Sequence, residues 1–225
     1  MKKNILFLLT VVIFVIAGYF IFTKTSRPVI SPTGDTISSS TNAYANESKW
    51  KIWQDGFYNK TTDGFFGYEF QYPRDFDVYS GDRANGYLLP QETPLVQVRF
   101  PQDAYREPKS NFGEAYMTIS YSTSTKDCYQ IPYDPALANL QDVDINGVSW
   151  RFGTTTGVGA GQIYDSKVYR TISNDRCFEA VLTVHTGNIG NYEPPVQEFD
   201  KSKAFSILGG ILNSFKFYGK SGPGP

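Results

Sequence analysis

The chain has a single histidine, His185. A catalytic base needs a nucleophile or acid beside it and a third group to orient it. No Gly-x-Ser-x-Gly, no His-Glu-x-x-His and no second histidine supplies such a set. His185 therefore reads as a strand-end histidine bonded to a neighbour or to water. Cysteine is as scarce. Cys128 and Cys177 lie 49 positions apart, whereas a zinc site wants close pairs. Basic clusters are missing, so no surface is patterned to neutralise phosphates, and nucleic acid is excluded as a partner. Gly157-Val-Gly-Ala-Gly161 is followed by Gln-Ile rather than Lys-Ser, and it lacks a third glycine at dinucleotide spacing. The stretch Gly153–Gly161 that contains it reads as a flexible connection. The run from Asp142 to Gly147 opens like a calcium loop but puts Gly153 where the twelfth-position acid belongs. Asp75 and Asp77 read as solvated carboxylates beside a turn. No catalytic, cofactor or metal constellation emerges, and the chain is expected not to be an enzyme.

What is present begins with Ile5–Phe22, eighteen residues broken only by Thr10, Gly18 and Tyr19. That length just spans a hydrocarbon core. Lys2 and Lys3 precede it, which keeps the N-terminus inside and sends the rest across. A cleaved signal peptide, and hence a secreted protein, is the alternative, but no Ala-x-Ala site follows. Residues 1–23 are read as an uncleaved signal-anchor in the cytoplasmic membrane. Residues 24–48, rich in Ser, Thr, Asn and Pro, cannot bury a core and form a tether. Asn46-Glu-Ser and Asn59-Lys-Thr fit the glycosylation acceptor pattern, which counts only in a host that glycosylates asparagine. The extracytoplasmic domain covers 49–218, and 219–225 is a frayed tail. Leaving out the six charges of anchor and tether, 17 basic and 20 acidic residues remain. Two cysteines in an exported domain most often pair, so Cys128–Cys177 is the expected disulfide.

Strand signals dominate the domain. Cys177–Thr186 is the longest run of strand formers after the N-terminus and is expected to be a buried central strand. Phe178, Ala180, Leu182 and Val184 face one way; Cys177, Glu179, Val181, Thr183 and His185 make a mixed, partly covered second face. Clean alternation marks Gly67–Tyr72 and Ala115–Tyr121. Val96, Val98 and Phe100 alternate too, bracketed by Pro94 and Pro101 as an edge or an end. Asn146-Gly147 between alternating apolar residues predicts a hairpin. Lys167–Ile172 pairs with the central strand through Asn174-Asp175. Asp200 caps a predicted helix over Lys201–Asn213, and Ala136–Leu140 forms one helical turn. Lys49–Tyr58 fits either a helix or an irregular lead-in.

The Gly-Tyr-x-Phe-x-Tyr-Pro opening at Gly67–Pro73, the Asn-Gly hairpin, the Cys177 strand and the capped helix running into Ser214–Phe217 together resemble PsbP-like domains. That family occurs in extrinsic photosystem subunits and in short anchored bacterial proteins. The resemblance covers Phe66–Tyr218. It implies an α+β fold, a central antiparallel sheet with helices on its faces as an α/β/α sandwich, and a binding or assembly role without catalysis. The expected function is that of a membrane-anchored, extracytoplasmic, non-catalytic binding or assembly module whose partner is an envelope protein. The alternative is a glycan-binding surface domain. Aromatic residues make up 16% of the chain, and Tyr58, Tyr79, Tyr87, Tyr105 and Tyr192 fall in predicted loops where rings could stack on sugars.

Overall fold

Runs of β-branched and aromatic residues fold here as strands, and they account for most of the described residues. The computed structural model describes residues 50–59, 64–84, 92–101, 110–126, 128–129 and 140–219. The expected anchor and tether, residues 136–139 of the expected helical turn, and Tyr87 and Tyr105 lie outside the described residues. Among the described residues no helix is long and apolar enough to cross a membrane. The elements are β1 (Trp50–Asn59), β2 (Gly64–Pro73), β3 (Asp77–Ser80), β4 (Thr93–Arg99), β5 (Phe112–Ser122), β6 (Gln141–Ile145), β7 (Val148–Gly159), β8 (Gln162–Ser173), β9 (Arg176–Gly187), α1 (Lys201–Asn213) and β10 (Lys216–Gly219).

Among the described residues two antiparallel sheets result. One has the order β1-β2-β10 and the other β3-β4-β5-β9-β8-β7-β6. The strand carrying Cys177–Thr186 is the fourth of seven, so it is central as expected. Its apolar face meets the small sheet ring to ring. Phe178 lies 5.9 Å from Phe66 and 4.9 Å from Phe217. Tyr68, Phe70 and Tyr72 of β2 point into the same core. Helix α1 adds Ala204, Ile207, Leu208, Ile211 and Leu212 to that core, with Asp200 Oδ1 accepting from Ser202 N at 3.0 Å as its cap. This core explains the energetics: burying a side chain such as Leu208 or Ile211 is worth about 1.5–3 kcal/mol.

The expected α/β/α sandwich is not what forms. The described residues hold a single α-helix, and it shares one face of the large sheet with the three-stranded sheet. The long strands pair with one another instead of alternating with helices, so the architecture is mostly β. Lys49–Tyr58, read as helix or lead-in, contributes β1, paired over ten residues with β2. As an edge strand it is half-exposed on both faces, so its sequence lacks a clean period of two. The supposed flexible connection at Gly153–Gly161 is the end of β7 and a two-residue hairpin turn. Ala160 (φ 48°) and Gly161 (φ 78°) both take positive φ, as do Asn146 and Gly147 in the expected hairpin. Such turns match the twist of paired strands. Of the two readings of Pro94 and Pro101, an edge or an end, the end is what forms: β4 lies between β3 and β5, with Pro94 at its start and Pro101 just past its last residue. Pro94 sits beside an irregularity at the start of β4, where β3, which pairs only with Val96–Arg99, no longer reaches.

Candidate functional site

The second face of β9 is fully covered at most positions rather than partly covered, and its polar residues are tied together. Cys128 and Cys177 form the expected disulfide, with Cα atoms 5.4 Å apart. One register row further along, Ser120, Glu179, Arg170, Arg151 and Asp142 stand side by side across β5, β9, β8, β7 and β6. Arg170 and Glu179 are each 2% exposed. Arg170 Nε donates to Glu179 Oε2 at 2.6 Å and Nη2 donates to the same oxygen. Nη2 also reaches Glu92 Oε1 at 3.3 Å, and Nη1 reaches the Cys128 carbonyl at 3.3 Å. Two carboxyls thus share one guanidinium out of water. Burial, then the Glu92 charge, pushes the Glu179 carboxyl up to about 8 against the pull of Arg170. Glu179 Oε1 is buried, and Glu92 is the neighbouring carboxyl that raises its affinity for a proton. A lone Glu in an apolar run is the signal that could have pointed here, since a buried charge requires a partner.

His185 lies near the end of β9, between Glu114 of β5 and Tyr164 of β8, and it is not isolated. Its ring stacks on Tyr164 at 4.3 Å and 6°, and Nε2 lies 2.6 Å from Gln162 Oε1. With that carbonyl oxygen accepting, Nε2 is the donor of this contact. Nδ1 then faces Glu114 Oε1 at 3.9 Å. A register irregularity between Phe112 and Glu114 leaves Gly113 opposite the ring, where a Cβ would stand 2.6 Å from Nδ1. The bulge glycine is what admits the imidazole. Arg99 Nη1 lies 3.5 Å from Glu114 Oε2, its Nη2 donates to Gln97 Oε1 at 2.9 Å, and its guanidinium lies near the rings of Tyr79 and Tyr116. Arg99, Gly113, Glu114 and His185, with Phe100, Pro101 and Phe112, line a pocket of about 230 Å³. Among the described residues no three His, Cys, Asp or Glu side chains are grouped to hold a metal ion. Asp75 and Asp77 are simply exposed.

The outward face of the small sheet carries aromatic rings. Tyr58 and Phe65 are cross-strand partners, 59% and 48% exposed. Phe65 and Tyr218 have ring centroids 5.9 Å apart at 36°. Both rings lie across the paired glycines Gly56 and Gly67, where any Cβ would overlap them. The next row is polar: Gln54 Nε2 donates to Glu69 Oε2 at 2.5 Å, and Lys216 Nζ donates to Glu69 Oε1 at 2.8 Å. The result is a shallow aromatic pad with a hydrogen-bonding border. Of the tyrosines placed in loops by the sequence reading, Tyr58 and Tyr79 are on strands. Tyr192 follows a short 3-10 turn and packs over Gly187. Phe65 and Tyr218 were missed; isolated glycines inside alternating strands are the signal that something lies close over the backbone.

No family model matches the chain, and the PsbP-like resemblance rests on the quoted motifs alone. No curated protein matches it either. Solved structures similar to it include a protein of Bacteroides thetaiotaomicron, with a TM-score of 0.38 and 12% identity over 66% of this chain. The match spans 44% of that protein's length. Another is LpqN, involved in cell envelope biogenesis of Mycobacterium tuberculosis, with a TM-score of 0.42 and 12% identity over 74% of this chain and 91% of LpqN. At these scores neither likeness defines the fold or the role of this chain.

Proposed function

We propose that this chain is a membrane-tethered, extracytoplasmic binding module without catalytic activity, and that its aromatic pad takes a glycan of the cell envelope. The observation that carries the reading is the pad itself. Tyr58, Phe65 and Tyr218 present ring area on a glycine floor, bordered by Gln54, Glu69 and Lys216. A pyranose offers an apolar face to such rings and hydroxyls to such a border. The Cys128–Cys177 bridge supports an oxidising, exported location, because cytosolic thiols are kept reduced. LpqN has an envelope role of its own, but a likeness at that score adds nothing to this reading. An envelope protein remains the competing partner, and the pad would serve it through Ile52 and Tyr58, both exposed.

The test is retention of the purified full chain on insoluble envelope polysaccharide. Tyr58→Ala and Phe65→Ala, both at exposed positions, should each weaken retention at least tenfold, about 1.4 kcal/mol, while thermal unfolding moves little. Retention unchanged in both variants would remove the pad from the account.

A further inference from the structure

The pocket at His185 is a different site from the pad and stands or falls independently of it. We propose that it binds the zwitterionic head of a small α-amino acid. The groups facing it form two poles. His185 Nδ1 and Glu114 Oε1, 3.9 Å apart, are both acceptors when the ring is neutral, and such a pair is satisfied by a cationic N–H donor placed between them. An ammonium supplies up to three such donors. The Arg99 guanidinium, 3.5 Å from the far oxygen of Glu114, forms the opposite pole. Gln97 engages its Nη2, and the rings of Tyr79 and Tyr116 lie against it at 5.6 and 5.8 Å, which fixes its plane in advance. Arg99 still has N–H donors beyond those two contacts, and a carboxylate is what a fixed guanidinium fork selects.

Charge complementarity decides between ligand classes. Arg99 and Glu114 pair with each other at 3.5 Å and sum to zero, so a simple anion or a simple amine brings an uncompensated charge into the site once water is expelled. A ligand with ammonium and carboxylate on one carbon balances both poles, and its two charged groups are spaced as closely as Glu114 and Arg99 are. Phe100, Pro101 and Phe112 wall the remainder, which gives a side chain an apolar surface to lie on. About 230 Å³ admits a small molecule, not a polymer. The bulge at Gly113 belongs to this design: without it the imidazole could not bring Nδ1 to the pocket.

The experiment is a calorimetric titration of the full chain with glycine, L-alanine, D-alanine and L-leucine. N-acetylalanine, which lacks the ammonium, and alaninamide, which lacks the carboxylate, serve as charge-deleted probes. At least one free amino acid should bind saturably, and both deleted probes should bind at least tenfold more weakly. Glu114→Gln, which keeps the shape, should lose at least tenfold in the same titration, and Gly113→Ala should do likewise by pushing His185 aside. Because the two deleted probes act on the unaltered protein, a misfolded variant cannot mask the outcome. No saturable binding of any of the four amino acids, or equal binding of either deleted probe, would overturn the proposal.

Discussion

The buried Glu179 carboxyl ties the stability of this fold to pH. Burial, reinforced by the Glu92 carboxylate, pushes it up to about 8, whereas an unfolded glutamate releases its proton near ~4.3. Between those values the folded chain holds a proton that the unfolded chain has lost. The stabilisation is therefore full below about pH 4.5 and is lost as pH rises through about 8, by up to about 1.4 kcal/mol per pH unit. Across the window the loss amounts to a few kcal/mol, a large part of the roughly 5–15 kcal/mol that holds an ordinary domain together. Other shifted groups act elsewhere. Asp200, held down by Ser202, and Glu69, held down by Lys216, contribute stability above the usual carboxylate range and lose it on acidification. Tyr169, raised to about 12 by burial, titrates well above the window. Glu179→Gln places an uncharged isostere against Arg170 and Glu92. The variant should stay within about 1 kcal/mol of the parent near pH 5 and exceed it by a few kcal/mol near pH 8. Urea unfolding of the oxidised protein at several pH values reads both. A parent whose stability is flat or rising from pH 5 to 8, with the variant running parallel to it, would refute this account of the cluster.

Arg170→Met leaves Glu92 and Glu179 facing each other and the Cys128 carbonyl without its donor; urea unfolding should show a loss of roughly 3–5 kcal/mol. Cys128→Ser opens the loop closed by the disulfide and should lower stability by about 4 kcal/mol on chain entropy, read as the shift in urea midpoint. Asp200→Ala removes the oxygen that accepts from Ser202 N and should lower stability by about 1 kcal/mol, with fraying of α1 visible in amide exchange.

Much of this fold was legible because local chemistry and tertiary packing agree. Asn146-Gly147 makes the turn its residues favour, and Asp200 caps the helix that begins at Lys201. The Phe178–Val184 face is the core face that its alternation demands. The layer arrangement was not legible, because nothing in the alternation of β2 or β10 says which sheet each joins. The motifs behind the PsbP-like resemblance are turns, aromatics and one helix, and these fit more than one packing. The Ala160-Gly161 turn escaped because alanine rarely adopts positive φ. The disulfide could be read from export and count, but the Arg170 cluster could not. Glu92 is 78 positions from Arg170, and only the register of β9 against β8 brings Glu179 opposite it. The His185 pocket was hidden for the same reason. Its acid and its guanidinium come from β5 and β4, and the bulge glycine that shapes it is one of 20 in the chain.

The central claim is that the β1–β2–β10 face binds envelope glycan. The most direct measurement is co-sedimentation of the full chain with insoluble envelope polysaccharide, comparing the parent with a Tyr58→Ala/Phe65→Ala double variant. The account predicts saturable sedimentation of the parent and a loss of at least tenfold in the variant. A parent that stays in the supernatant, or a variant that sediments equally well, would contradict it.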